Sequence, residues 1–370
     1  MGAFAKQWYR IMDSRIKVAM VARALTMNGI STVIVNYCTH IDTSKFKITV
    51  FVGSPIDKNM KASCEAAGAK VVELPNRDTD MKGFYRALNK GLGKQKFDII
   101  HVHGNSAIMA IELMLAKLHG IKVRIAHSHN TTSSHMRAHK LMKPFFNALY
   151  TDGFACGRDA GKWLFGDKKF TVIPNGFNID KFRFNKFDRH RIRKSLGITD
   201  EIVLGHIGRL NHQKNQEFML KVYEAIAAKG KRVKALLVGD GPDLEELQRI
   251  IDNSSYKDGI IMYGTSTNPA EMYSAMDSFV FPSVYEGLPV TLLEAQLNGL
   301  PCVISDTITN EVIINPNVKK ISLSKSPSEW ADEVLKKLQR CSPDEKSFVQ
   351  YRIDKSVKKL EHAYLEAIAR

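Results

Sequence analysis

Two carboxylates, eight residues apart, lie at the mouth and in the body of one predicted helix. Pro289 suits a first helical position, and Gly299 suits the residue just past the helix end. Glu294 then falls beside or inside the apolar stripe of this helix, where a carboxylate is costly unless it is hydrogen-bonded. Two vicinal hydroxyls, as on a ribose, would satisfy Glu294, and Glu286 could accept from hydroxyls of a second ring. A plainer interpretation stays open, in which Glu294 is a surface residue and Glu286 caps the helix.

A second candidate site lies directly after the predicted strand at residues 202–207, also in the second half of the chain. Gly208 lets a ligand approach the backbone, and Arg209 and Lys214 follow before a helix. Two cations beside helix amides suit a diphosphate. The amides near Gly287 and Leu288 could take an anion or sugar oxygens in the same way. The alternative for the two cations is a loop that simply holds them in solvent.

Four histidines form two pairs, each pair with a spacing of two residues along a predicted strand. His101 and His103 share one face of their strand, and so do His127 and His129 on the next. Four clustered imidazoles could bind zinc, but no carboxylate or cysteine at ligand spacing accompanies them. We therefore expect no metal site. We expect one histidine to orient a ligand and the other three to be structural.

The elements that position these residues alternate between strand and helix. Strands are predicted at residues 16–22, 47–52, 69–74, 98–103, 122–127, 202–207, 233–238, 260–263, 278–281 and 301–304. Helices of the second half are predicted at residues 213–229, 243–251, 269–276 and 328–340. The rhythm breaks at residues 172–177, where a strand runs into Pro and Asn-Gly. The pattern indicates two α/β domains with parallel sheets covered on both faces, and a linker between them.

Composition narrows the class of protein. The chain of 370 residues has a net charge of +16, which points to nucleic acid, anionic lipid or phosphorylated substrates. Its five cysteines show no CxxC spacing, which argues against a disulfide framework and favours a reducing compartment. No run of 18 apolar residues predicts a spanning helix, and residues 1–15 lack the features of a secretory signal.

Two tracts combine basic and aromatic residues, at 135–146 and at 181–194. The first has the spacing of an interfacial helix on anionic lipid. Solvated surface with a few packed aromatic residues is the alternative for both tracts. A nucleic-acid-binding protein is a remote alternative, and we expect no nucleic-acid partner because no recognition motif accompanies the tracts.

Several of these runs together resemble a known family. Residues 281–301, FPSVYEGLPVTLLEAQLNGLP, resemble the E-x7-E signature of retaining glycosyltransferases of family 4, which have the GT-B fold. Residues 208–215, GRLNHQKN, resemble the phosphate loop of the same family. Further runs typical of the family lie at residues 173–182, 238–242, 98–103 and 125–130. The last two resemble bacterial capsular and exopolysaccharide members.

The resemblance implies two Rossmann-like, doubly wound domains with an interdomain cleft. Residues 1–176 would form the acceptor-side domain, with a C-terminal helix at about 353–370 packing back on it. Residues 177–352 would bind the nucleotide sugar. The implied enzyme is a metal-independent hexosyltransferase that uses no cofactor besides its donor. It would move a sugar, from UDP-sugar by expectation, to a lipid-linked or polysaccharide acceptor in surface polysaccharide biosynthesis. It would act in the cytoplasm, with peripheral contact to the anionic inner face of the membrane.

The same resemblance implies roles for the polar residues of the second half. Arg209 and Lys214 would neutralise the leaving diphosphate. In this family such cationic side chains take the role that a metal ion has in other enzymes. Glu294 would bind the ribose hydroxyls, and Glu286 would contact the transferred sugar. Another sugar-nucleotide enzyme of GT-B type, such as an epimerase, is the alternative activity.

In the first half of the chain the resemblance to the family is weaker. His129 matches best the active-site histidine of the family, with His127 as its competitor, and Gly29 would approach the diphosphate or the donor sugar. Many members have Gly-Gly where this chain has Met27 before Asn-Gly, and again where it has residues 305–310. These departures affect the sugar end of the donor pocket.

Overall fold

The computed structural model describes residues 15–26, 28–336 and 338–370. The chain separates into two compact units. One contains the described residues up to Gly176 together with Ile353–Arg370, and the other contains Phe177–Arg352. The expectation about a secretory signal concerns residues that lie, except for Arg15, outside the described part, as does Met27.

The first unit is built on a seven-stranded parallel sheet with the order β3-β2-β1-β4-β5-β6-β7. Its strands are β1 (Ile16–Ala22), β2 (Phe46–Gly53), β3 (Lys70–Leu74), β4 (Ile99–Gly104), β5 (Val123–Ser128), β6 (Asp152–Ala155) and β7 (Thr171–Val172). The helices between them are α1 (Gly29–His40), α2 (Lys58–Ala66), α3 (Met81–Leu92), α4 (Ala110–Leu118), α5 (Met136–Leu149) and α6 (Arg158–Phe165).

The second unit holds a six-stranded parallel sheet with the order β10-β9-β8-β11-β12-β13. Its strands are β8 (Ile202–Ile207), β9 (Val233–Val238), β10 (Ile260–Gly264), β11 (Ser278–Phe281), β12 (Cys302–Ser305) and β13 (Val318–Ile321). Its helices are α7 (Lys186–Ser195), α8 (Gln216–Ala228), α9 (Leu244–Asp252), α10 (Pro269–Ala275), α11 (Val290–Leu297), α12 (Pro327–Lys336) and α13 (Glu345–Phe348). None of the helices in the described residues is both long and apolar enough to cross a membrane.

Side-chain alternation along β1 shows why the first sheet must be covered on both faces. Val18 and Met20 belong to the apolar core on one side of the sheet. Ala19 and Val21 belong to the core on the other side. Because successive side chains of a strand point to opposite faces, a continuous apolar run needs helices on both sides.

The last helix, α14 (Ile353–Ala369), packs on the first unit although it follows the second in sequence. Its Tyr364 hydroxyl lies 2.6 Å from Nδ1 of His101, and Glu361 accepts a hydrogen bond from the backbone of Asp42 at 2.7 Å.

The strand orders of the two sheets correspond, because in each unit the first strand lies between the second and the fourth. The direction in which successive strands are added to the sheet therefore reverses beside the first strand of the unit. Ligands of doubly wound sheets bind at the carboxyl ends of the strands at this switch point.

Every predicted strand corresponds to an observed one, and the predicted bounds of β1, β8, β9 and β11 are identical to the observed bounds. The prediction omits β6 and β13. β6 has only four residues and begins with Asp-Gly, which is typical of a turn, and β13 carries two lysines, which suit a sheet edge. Such short or charged strands have no apolar run of their own and form because their neighbours supply hydrogen-bond partners.

Candidate functional site

Hydrogen bonds of backbone and amide side chains tie together the loops that follow β8 and β11. Val284 donates its amide to the carbonyl of Gln213 at 2.8 Å, and the Gln213 side chain donates to the carbonyl of Tyr285 at 3.0 Å. The Asn215 side chain donates to the carbonyl of Pro282 at 3.1 Å. Asn215 has a φ of 56°, a left-handed conformation that asparagine tolerates better than most residues. The two loops therefore present their side chains together at the switch point of the second sheet.

A side chain would clash with neighbouring backbone at Gly239 but not at Gly208. Gly239 has a φ of +147°, and a Cβ there would lie 1.9 Å from the Gly208 carbonyl oxygen. A Cβ on Gly208 would meet its nearest neighbour only at 3.4 Å. The packing of the protein itself therefore requires glycine at Gly239, where the turns after β8 and β9 touch, and approach of a ligand to Gly208 stays a prediction.

Lys214 and Glu286 form a buried ion pair in the second unit. The distance from Lys214 Nζ to Glu286 Oε1 is 2.7 Å, and the two side chains are 15% and 7% exposed. Lys214 Nζ also lies 4.8 Å from the ring centre of Phe281. Removing one partner of such a pair leaves an uncompensated charge in the protein interior. The sequence treats these residues as two separate ligand contacts, and their direct pairing is a finding of the structure.

Glu294 has a protein partner that the sequence prediction missed. The Tyr273 hydroxyl donates to Glu294 Oε2 at 2.8 Å and lies 3.1 Å from the carbonyl of Thr291. Although Glu294 is only half-buried by surface area, protein atoms surround its carboxyl, and this burial raises its pKa to about 7. The Tyr273 bond and the positive charge of Lys214 oppose that rise. The described residues give Oε1 no hydrogen-bond partner, which leaves it available to a hydroxyl.

Arg209 differs from Lys214 because its side chain has no acidic partner among the described residues. It is exposed, and within the described ranges its guanidinium makes no ion pair or hydrogen bond, while its carbonyl accepts from the side chain of Gln216 at 2.9 Å. The loop is thus fixed through its backbone, and the cation remains available for an anionic ligand.

The helix α11 begins and ends close to its predicted limits. Pro289 is the N-cap instead of the first helical residue, and Gly299 follows the helix with a φ of +75°, as expected for a residue beyond a C-cap. Leu293 and Leu297 are fully buried, which confirms the apolar stripe. The side chain of Pro289 itself accepts no hydrogen bond from the helix amides, and the interpretation of Glu286 as a helix cap stays open.

The residues around the start of this helix include the predicted Gly287 and Leu288 and two hydroxyl groups that the sequence prediction missed. Gly287 and Leu288 are buried beside it. The hydroxyls of Ser283 and Thr291 are buried and have no hydrogen-bond partner among the described residues. Isolated Ser and Thr carry no signal in a sequence, because their significance lies in being buried without a partner.

In the first unit, Gly29 is the first residue of α1, directly after the loop that follows β1. Asn28 caps this helix by accepting from the Ser31 amide at 3.0 Å. A Cβ on Gly29 would meet no atom within 4 Å. Nothing in the packing of the protein itself therefore requires glycine there, and close approach of a ligand to Gly29 stays a prediction.

All four histidines lie on one face of β4 and β5 in a single cluster. His101 Nε2 is 3.0 Å from His127 Nδ1, and His103 Nδ1 is 3.0 Å from His129 Nε2. The rings of His101 and His103 stack at 4.1 Å, and those of His127 and His129 stack at 4.1 Å. The adjacency predicted for the two pairs is confirmed, because β4 and β5 are neighbours with His103 opposite His127.

Burial keeps this cluster uncharged. Desolvation lowers the pKa of His101, His103 and His127 well below the ordinary value and that of His129 to about 3. Ring nitrogens of the first three lie within 4.8 Å of one another, a spacing that a metal ion could use. The expectation that no metal binds here stays a prediction.

The two basic tracts have different environments. In α5, Leu141 is 72% exposed and Phe145 is 56% exposed, beside exposed Arg137 and Lys140. This first tract remains an amphipathic surface.

Most residues of the second tract are exposed, as the surface interpretation predicts, but several of its arginines make ion pairs with acids elsewhere in the second unit. Arg189 and Arg193 both bind the carboxylate of Asp277, at 2.6 and 3.0 Å, and also donate to backbone carbonyls. Arg191 pairs with Glu271 at 2.7 Å. The sequence shows the density of cations but not the acids that the fold brings to them.

Two family models match the chain. The model described as Glycosyltransferase Family 4 matches residues 27–181, and the model described as Glycosyl transferases group 1 matches residues 188–354. The second match contains the loops after β8 and β11 that carry Arg209, Lys214, Glu286 and Glu294.

Curated bacterial proteins match over most of the chain. EpsF of Bacillus subtilis (strain 168), which carries the name of a glycosyltransferase, is 29% identical over 88% of this chain and 88% of its own length. The UDP-Gal:alpha-D-GlcNAc-diphosphoundecaprenol alpha-1,3-galactosyltransferase of Escherichia coli is 27% identical over 81% of this chain and 82% of its own length.

Solved structures share the fold at low sequence identity. HepE of Anabaena, solved in complex with UDP and glucose, has a TM-score of 0.72 and 16% identity, with 96% of this chain and 97% of that chain covered. Sucrose-phosphate synthase from Thermosynechococcus elongatus has a TM-score of 0.77 and 14% identity, with coverage of 96% and 100%. The matched models, the relatives and the two parallel Rossmann-like sheets agree, and the chain belongs to the family 4 and group 1 glycosyltransferases of GT-B fold.

Proposed function

We propose that this chain is a retaining glycosyltransferase that moves a sugar from a UDP-sugar to a lipid-linked or polysaccharide acceptor. The observation that carries the proposal is the group formed by Arg209, Lys214, Glu286 and Glu294 at the switch point of the second sheet. It combines an uncommitted cation, a buried ion pair and a carboxylate with one unpartnered oxygen. These are the groups that a diphosphate, a sugar ring and a ribose would need.

In the proposed reaction the anomeric carbon separates from the diphosphate oxygen, and the acceptor oxygen bonds to the same face of the sugar. The proton of the acceptor passes to an oxygen of the departing diphosphate. Arg209 and Lys214 stabilise the negative charge that develops there, as preorganised cations do in phosphate chemistry. Glu286, already held by Lys214, accepts hydrogen bonds from the sugar and is not a nucleophile. No metal is needed in this scheme, so EDTA should leave turnover unchanged.

The donor and acceptor classes are supported by the relatives. HepE was solved with UDP and glucose, and the Escherichia coli relative is named for a UDP-Gal donor and a diphosphoundecaprenol-linked acceptor. In the first unit, His129 would contact the donor sugar, and the unit as a whole would receive the acceptor. Gly29 would lie against the diphosphate.

A panel of UDP- and GDP-sugars tests the proposal directly. Release of nucleotide, measured with and without an undecaprenyl-diphosphate-linked sugar, should be fastest for one UDP-sugar, and the product should keep the anomeric configuration of the donor. Epimerisation of the donor without release of nucleotide would favour the alternative sugar-nucleotide activity. No turnover and no binding across the panel would contradict the proposal.

Glu294 gives a prediction about pH as well as affinity. Glu294→Ala should weaken UDP binding by about 1.5–3 kcal/mol, because hydrogen bonds to a charged acceptor are lost, and Glu294→Gln should weaken it less, because the amide oxygen still accepts but carries no charge. Since burial raises the pKa of Glu294 to about 7, the carboxylate is formed above that pH and protonated below it. The wild-type affinity for UDP should therefore increase from pH 6 to pH 8 more than that of Glu294→Gln. Calorimetric titration at both pH values measures this, and parallel pH profiles would argue against ribose binding by Glu294.

We also propose peripheral contact of the first unit with anionic membrane through α5. The exposed Leu141 and Phe145 would enter the interface while Arg137 and Lys140 face lipid phosphates. Leu141→Ser with Phe145→Ser should abolish flotation with vesicles that contain phosphatidylglycerol. The matched control is Phe187→Ser in α7, which removes an 86% exposed phenylalanine from the second tract and should leave flotation unchanged. Equal loss in both variants, or no binding by the wild type, would contradict the assignment.

A further inference from the structure

The four buried imidazoles divide into two pairs that end differently. The inner pair, His101 with His127, is closed by α14 at its His101 end, because the Tyr364 hydroxyl bonds Nδ1 of His101 at 2.6 Å, while Nε2 of His127 is buried without a partner among the described residues. The outer pair, His103 with His129, has no such closure. Nε2 of His103 and Nδ1 of His129 are buried and have no hydrogen-bond partner among the described residues.

The two pairs also differ in position along the strands. His103 lies two residues beyond His101 toward the carboxyl end of β4, and His129 lies just after the end of β5. His129 is 9% exposed, whereas His127 is fully buried. The outer pair is therefore the one that stands at the edge where ligands of parallel sheets bind.

The bond within the outer pair couples the two rings. A neutral imidazole has one N–H donor and one bare nitrogen that accepts. If His103 Nδ1 donates to His129 Nε2, then the proton of His129 is on Nδ1, and the ring offers a donor there. If His129 Nε2 donates instead, its Nδ1 is bare and offers an acceptor. The group that a ligand meets on His129 is thus decided by His103, since burial keeps both rings neutral.

We propose that His103 is a positioning residue that fixes the tautomer and ring orientation of His129 toward the donor sugar, while His101 and His127 are structural. The inference rests on the proposed function, in which His129 contacts that sugar. It favours His129 over His127, because His129 is 9% exposed just beyond the carboxyl end of β5, whereas His127 is fully buried within the strand.

Matched substitutions in the two pairs test the proposal. With the UDP-sugar that the wild type turns over fastest, His103→Val should lower kcat by about 100-fold, the order of effect expected for a misplaced contact group. UDP affinity should stay unchanged, because UDP would be held by the second unit. His103→Asn places an amide near the Nδ1 position and should restore most of kcat. His101→Val removes an equally buried ring from the inner pair, and it should lower Tm without lowering kcat of the folded enzyme.

Three results would overturn the positioning role: equal loss of kcat in His103→Asn and His103→Val, equal loss in His101→Val, or no loss in His103→Val. A second measurement does not depend on turnover. In ¹⁵N-histidine-labelled protein, the wild type should show one tautomer for His129, and His103→Val should show a mixture. An unchanged His129 tautomer in the variant would contradict the inference even if no UDP-sugar is turned over, whereas failure of the sugar panel alone would overturn only the proposed function.

Discussion

Replacing Lys214 by alanine is expected to lower turnover of the UDP-sugar donor by about 10²–10³-fold, the effect of removing one preorganised stabilising group from a reacting centre. The substitution removes a cation from the proposed diphosphate site. It also removes the ion-pair contact at 2.7 Å with the carboxylate of Glu286, whose side chain is 7% exposed. Turnover under saturating donor, with the variant's Tm measured in parallel, separates the loss of chemistry from a loss of folded protein.

The chain offers a matched control for this substitution. Lys221 pairs with Glu217 at 2.6 Å, and both side chains are more than half exposed. Such surface pairs contribute little to stability, so Lys221→Ala should change neither turnover nor Tm. If Lys214→Ala kept nearly full activity, the two cations would not stabilise the leaving group, and the assignment of this loop would fail.

Lowering the pH from 7.5 to 5.5 is expected to destabilise the first unit steeply. The histidines of the inner and outer pairs have a folded-state pKa below the ordinary value of 6.5 because they are buried. In the unfolded chain these four imidazoles bind protons as the pH falls through 6.5. In the folded chain they stay neutral well below that pH, down to about pH 3 for His129. Stability is therefore full above the unfolded pKa and is lost as the pH falls. Below the unfolded pKa each histidine contributes up to about 1.4 kcal/mol per pH unit to this loss, and four contribute roughly 6 kcal/mol per pH unit.

Urea unfolding at pH 7.5, 6.5 and 5.5 measures this slope. Lys221→Ala, the surface variant described above, supplies the control and should leave the slope unchanged. Replacing a member of the inner pair with a residue that does not titrate, as in His101→Val, should reduce the slope while lowering stability at pH 7.5. A free energy of unfolding that is constant across this range would show that the imidazoles bind protons in the folded protein.

The fold could be read from the sequence because its signals are local. Apolar runs such as Ile16–Ala22 and Ile202–Ile207 specify buried strands by themselves, and their bounds match the structure. The contiguous signature at residues 281–301 likewise placed Glu286 and Glu294 on one loop and helix. The prediction missed segments that depend on their neighbours, such as β6 and β13, and it could not show that Asp277 binds two arginines of the second tract.

The sequence by itself determined the fold class, the family and the identity of the polar residues that follow the strands. Tertiary structure alone decided which of them meet. Lys214 pairs with Glu286 across 72 positions, Tyr273 with Glu294 across 21, and His101 with Tyr364 across 263. The physical reason is that parallel strands bring their carboxyl ends to one edge in an order set by the sheet. A residue's partner there depends on strand order and register, which no single stretch of sequence contains.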